Sequence, residues 1–164
     1  MSIGTEYLRE FDDEMKTTRK VLERVPGEKA DWKPHAKSFS MAHLAQLVSR
    51  MPGWIANTLR YPSLDLGPRE SYYSNEATAA LLADFDKNVA QAREALNAAP
   101  DSAWKEEWQL KRGEQVFWTA PRSVVVRTHI NHLVHHRAQL GVYLRLNDIP
   151  VPPCYGPTAD ERGF

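Results

Sequence analysis

Apolar residues recur at helical spacing along most of this chain. From about Ser2 to Val25, the positions Tyr7, Leu8, Phe11, Met15, Val21, Leu22 and Val25 fall near i, i+3, i+4 and i+7, and Pro26-Gly27 closes the run. A second run starts at Ser38 or Ser40, either of which suits an N-cap, and carries Met41, Leu44, Leu47, Val48, Met51 and Trp54. Pro52 lacks the N–H that would bond the carbonyl of residue 48, so Pro52-Gly53 predicts a kink or break, with the helix resuming over 54–59. Tyr61 to Tyr73 reads as a loop. The third run is the cleanest: Ser74 or Asn75 caps it, Glu76 sits in its first turn, and Ala79 to Ala98 is built from strong helix formers with a stripe of Leu82, Phe85, Val89, Ala92 and Leu96. The fourth begins near Thr119 or Ala120, with Pro121 in the first turn, and reaches about Leu146. The β-branched run Val124-Val125-Val126 favours a strand locally, but the length of the helical pattern around it outweighs that preference.

Between the third and fourth runs, Trp104 to Trp118 holds three tryptophans and Gly113 and allows a short extended excursion. The tail from Asn147 to Phe164 contains Pro150, Pro152, Pro153, Gly156 and Pro157 and reads as irregular. The fold these patterns predict is all-α: one domain over 1–164, an antiparallel four-helix bundle with longer connections after the first three helices and a Pro-rich tail.

Composition narrows the function classes. With 164 residues and 42% hydrophobic content, the chain suits one sizeable core. Lys plus Arg and Asp plus Glu are 21 each, so there is no basic excess to suggest nucleic acid. No apolar run approaches the roughly 20 residues that cross a bilayer, and the N-terminus lacks the pattern of a signal peptide. The single cysteine, Cys154, leaves no internal disulfide and no Cys-rich zinc site. The expectation is a soluble cytoplasmic protein with no nucleic-acid or membrane partner, and these facts name no activity.

The chemistry concentrates in His129-Ile-Asn-His132-Leu-Val-His135-His136-Arg137-Ala-Gln139, which holds four of the six histidines. Neutral imidazole is the commonest transition-metal ligand. On a helix, His132 and His136 stand one above the other at i and i+4, while His129 lies one turn earlier and His135 points away. A third ligand should come from a facing helix. His35 lies in a Pro-flanked loop, whereas His43 borders the apolar stripe of the second helix. Three histidines and an open position suit a catalytic zinc or nickel site that activates water or a thiolate. Glu is absent beside His132, which removes the metalloprotease helix motif, and no Asp or Glu identifies itself as a base. Arg137 and Gln139 either orient ligands or face solvent. The tryptophans at 54, 104, 108 and 118 read as packing residues, and Cys154 as an ordinary thiol.

These residues together resemble the DinB-like family of four-helix metal proteins. The resemblance rests on His43 after the Trp32-Lys-Pro34 and Ser38-Phe-Ser40 approach, and on the two α-helical histidines four apart followed by Arg137-Ala-Gln139, where many members have Arg-Gly-Gln. The tail Ile149-Pro150-Val-Pro-Pro-Cys-Tyr155-Gly156-Pro157 adds to it. It covers nearly the whole chain. It implies a divalent metal held by His43, His132 and His136, often a homodimer, and in some relatives a low-molecular-weight thiol as co-substrate. The competing expectation is a non-catalytic metal-binding or dimeric interaction bundle.

Overall fold

The computed structural model describes residues 2–67 and 77–162. Four long helices carry most of it: α1 Ile3–Leu22, α2 Met41–Arg60, α3 Thr78–Ala98 and α4 Arg122–Leu146. α1 and α2 each pack against both α3 and α4. The tail returns to α4, where Arg145 pairs with Asp160 and Thr158 donates to the Val151 carbonyl at 2.8 Å. No helix among the described residues is long and apolar enough to cross a membrane.

The helix starts follow capping chemistry. Ser2 accepts from the Thr5 N–H at 3.3 Å, and Ser40 accepts from the His43 N–H at 3.3 Å, so Ser40 rather than Ser38 opens α2. The caps expected at Ser74 and Asn75, and Glu76 after them, lie outside the described residues. The described helix begins after Ala77, which is extended and offers no side-chain cap.

α2 runs unbroken through Pro52, so of the expected kink or break the break does not occur. Pro52 is buried, and Asn88 of α3 donates to the Ser49 carbonyl, 3.2 Å away, in the turn before the proline. That bond serves the carbonyl next to that of Val48, whose own helical partner the proline removes. Gly53 makes room for that partner, since a Cβ there would lie 2.7 Å from Asn88 Oδ1.

The fold is also not purely all-α. Three strands form a small sheet of order β1–β2–β3: β1 Ser63–Asp65, β2 Glu107–Arg112 and β3 Gln115–Pro121. The β2–β3 hairpin turns at Gly113, whose φ is +55°. It occupies the tryptophan-rich stretch where an extended excursion was allowed. β1 runs parallel to β2 inside the expected loop, a pairing between distant segments that local periodicity does not reveal. β3 takes Thr119 to Pro121, so α4 starts at Arg122, later than the sequence suggests.

The main core joins Phe11, Leu22, Met41, Val48, Ile55, Phe85, Leu96, Ile130, Leu140 and Leu144 across all four helices. Each large side chain so buried contributes about 1.5–3 kcal/mol of transfer free energy. A second cluster of Trp108, Ala120 and Val125 seats the sheet against the start of α4.

α4 is further fixed by a charged group inside the structure. Arg137 is 2% exposed and pairs at 2.6 Å with Glu14, which is 13% exposed. It also donates to the Glu14 carbonyl and to Thr18 Oγ1 on α1. Tyr155 from the tail donates to the other Glu14 carboxylate oxygen at 2.7 Å and lies under the guanidinium. This cluster sets the rotation of α4 and therefore the direction in which the preceding His136 projects.

Candidate functional site

His132 and His136 lie one turn apart on α4, and their Nε2 atoms meet at 2.9 Å. His132 is exposed and His136 half-buried, so the pair faces solvent. Partial burial, then the neighbouring His136 and His135, holds the His132 imidazole below the usual histidine range, which favours its neutral, ligand-competent form. His136 Nδ1 lies 2.7 Å from Gln139 Oε1, and the same amide donates to His135 Nε2 at 3.0 Å.

His43, in the first turn of α2, stacks its ring on Phe39 with centroids 4.0 Å apart. Phe39 in turn reaches the His136 ring at 6.4 Å. The three expected ligands therefore share one neighbourhood, with Phe39 touching both His43 and His136. They are not drawn into one ready ligand set: among the described residues, no three His, Cys, Asp or Glu side chains converge tightly enough to hold an ion. Burial lowers the His43 pKa, again favouring a neutral imidazole.

His129 belongs to a different environment. Thr58 gives its one hydroxyl proton to the Trp54 carbonyl at 2.9 Å, so it accepts from His129 Nε2–H at 3.2 Å. Trp54 and Trp108 meet the ring edge-on. Burial, aided by His132, pushes the His129 pKa down to about 4. His35 stays in its loop and accepts from the Lys37 backbone N–H. Cys154 is exposed on the tail, where it lines clefts away from the histidines.

A cleft of about 410 Å³ opens beside His136 and Gln139, walled by Pro34, Phe39, Val142 and Tyr143, with Lys37 and Ser38 at its polar side. Among the described residues, no carboxylate lines it. Sequence reasoning passed over Phe39 and Lys37 as site residues. Their signal was position alone, in the short approach just ahead of the Ser40 cap.

The donor set meets part of what a divalent ion requires. Two imidazoles on one tetrahedral zinc, at the usual N–metal length of about 2.0–2.1 Å, stand roughly 3.3 Å apart, so the observed 2.9 Å pair needs to open by only about 0.4 Å. Gln139 Oε1 stands where it accepts the hydrogen bond that a ligating histidine donates from its other ring nitrogen. The pair fits such an ion. A third bond from His43 requires that ring to leave its stack on Phe39.

Comparison with known proteins agrees with this arrangement of helices. The model of the DinB family matches residues 1–162, and the chain belongs to that family. The Bacillus subtilis (strain 168) protein YrdA is 23% identical over 159 residues, which cover 94% of this chain and 89% of YrdA. A DinB-like protein from Bacillus cereus ATCC 10987 superposes with a TM-score of 0.72 at 20% identity, covering 91% of this chain and 95% of that one. The DinB-like protein YjoA from Bacillus subtilis gives 0.70 at 15% identity, over 92% and 96% of the two chains. At such identities these two structures show a shared fold.

Proposed function

We propose that this chain is a metal-dependent enzyme acting on a small molecule, built on a four-helix bundle in which His43, His132 and His136 hold a divalent zinc or nickel ion. The observation that carries the reading is the solvent-facing pair of Nε2 atoms 2.9 Å apart at the edge of a cleft. When bound, the ion supplies an activated water or thiolate, or polarises a substrate oxygen. The reaction class is hydrolysis or transfer of a low-molecular-weight thiol.

The chain's own residues shape what reaches that point. Phe39, Pro34, Val142 and Tyr143 offer apolar walls to the body of a small molecule, while Lys37 and Ser38 offer polar contacts at one side. Tyr143 gives its hydroxyl proton to the Phe39 carbonyl at 3.2 Å, which ties the approach segment to α4 and holds one wall in place. Among the described residues lining the cleft, Lys37, His136 and Tyr143 are the titratable side chains, and no carboxylate stands beside them.

A second reading, a dimeric interaction bundle without catalysis, draws on the exposed Val142 and Leu146, which share one face of α4 near Phe39. Loading the protein with zinc or nickel and assaying a panel of thiols and esters separates the two. Metal-dependent turnover that disappears in His132→Ala, with the helical circular dichroism unchanged, supports the enzyme. Equal turnover in that variant contradicts it. Sedimentation equilibrium of Val142→Asp/Leu146→Asp reports on the dimer independently.

A further inference from the structure

We propose that Gln139 is a positioning residue for His136: its amide fixes which imidazole nitrogen carries the proton and so aims the His136 Nε2 lone pair at His132. Gln139 lies three residues after His136 and four after His135, so one side chain reaches both on the helix surface. Its Oε1 stands 2.7 Å from His136 Nδ1, and its Nε2 stands 3.0 Å from His135 Nε2.

The proton count then follows from donor and acceptor chemistry. An amide oxygen only accepts, so His136 Nδ1 carries the hydrogen. An amide nitrogen only donates, so in this orientation of the amide, oxygen toward His136 and nitrogen toward His135, His135 Nε2 is the acceptor. A neutral imidazole has one N–H, which leaves His136 Nε2 as a bare lone pair. That atom lies 2.9 Å from His132 Nε2, a contact that without a cation requires the hydrogen of His132. In the metal-free protein His132 is then the Nε2–H form. Moving its one proton to Nδ1 presents two lone pairs to a common point, with no change in charge. In place of the three-part chain, a histidine free in water settles its tautomer by solvation alone.

The tautomer assignment stands apart from the metal, while its use as preorganisation for a ligand rests on the reading proposed above. The test uses ¹⁵N-labelled, metal-free full-length protein at about pH 8.5, above the usual histidine range. Long-range ¹H–¹⁵N spectra are expected to show Nδ1–H at His136 and Nε2–H at His132. Gln139→Leu should lose the Nδ1–H preference, and Gln139→Glu, which still accepts, should keep it. Zinc titration should show affinity about 10–100-fold weaker in Gln139→Leu and retained in Gln139→Glu. An Nε2–H His136 in the wild type, or an unchanged tautomer in Gln139→Leu, overturns the assignment. Equal zinc affinity in wild type and Gln139→Leu overturns the positioning role. A wild type that takes up no zinc overturns the metal reading instead, and the spectra still decide the tautomer.

Discussion

Replacing Glu14 by Gln removes one charge from the interior with almost no change of shape. Arg137 is 2% exposed and Glu14 13% exposed, with 2.6 Å between their charged atoms. Stranding one member of a buried pair costs about 3–5 kcal/mol, because the remaining ion has lost both water and partner. Arg137 keeps the Glu14 carbonyl and Thr18 Oγ1 as acceptors, and the amide oxygen of Gln still accepts, which places the loss near the lower end, about 3 kcal/mol. For a chain of this size each kcal/mol lowers the melting temperature by about 2–4 °C, so Glu14→Gln should melt roughly 6–12 °C below the wild type. Urea unfolding at pH 7 measures the same quantity through the shift in midpoint. Glu14→Leu combined with Arg137→Met removes both charges and should recover most of the loss, as packed apolar replacements of buried pairs do. A loss below about 0.5 kcal/mol in Glu14→Gln, typical of exposed pairs, refutes the claim that this cluster fixes α4 against α1.

Acid should destabilise the fold through His129. Its folded pKa of about 4 lies below the ordinary 6.5, so the unfolded chain takes up the proton first as pH falls. Stability is full above about pH 6.5 and declines by up to about 3 kcal/mol as pH drops toward 4. Urea midpoints at pH 7 and 4.5 should therefore diverge in the wild type and converge in His129→Gln; equal divergence in both contradicts the assignment. Gly4→Ala should be costly, since a Cβ there would stand 2.2 Å from the Leu96 backbone carbonyl of α3, and α1 must move away. The expected loss is about 1–3 kcal/mol by thermal melting, and an unchanged melting temperature would show that α1 and α3 do not approach so closely.

The four helices were legible because each buries a stripe repeating every three to four residues, and Ser2 and Ser40 mark two of their starts. The sheet was only half legible. The β2–β3 hairpin left a local trace in Gly113 and its flanking tryptophans, but β1 is a strand only because β2 lies beside it. Pro52 does not break α2, because it removes one backbone bond from a turn that is buried against the rest of the structure. At the site, His132 and His136 were readable from their spacing, and the structure brings them together. The seating of His43 on Phe39 and of His129 on Thr58 depends on how α2 meets α4, which the sequence pattern of either helix alone does not encode. The helix pattern left Arg137 either to orient ligands or to face solvent, because its partner Glu14 lies more than a hundred residues away in the chain.

Metal content tests the central claim most directly. Purified protein dialysed against zinc or nickel, then analysed for bound metal per chain, should hold about one equivalent, and His43→Ala, His132→Ala and His136→Ala should each lose most of it while remaining helical. Full occupancy retained in the His132→Ala/His136→Ala double variant, or no metal taken up by the wild type, would contradict the account.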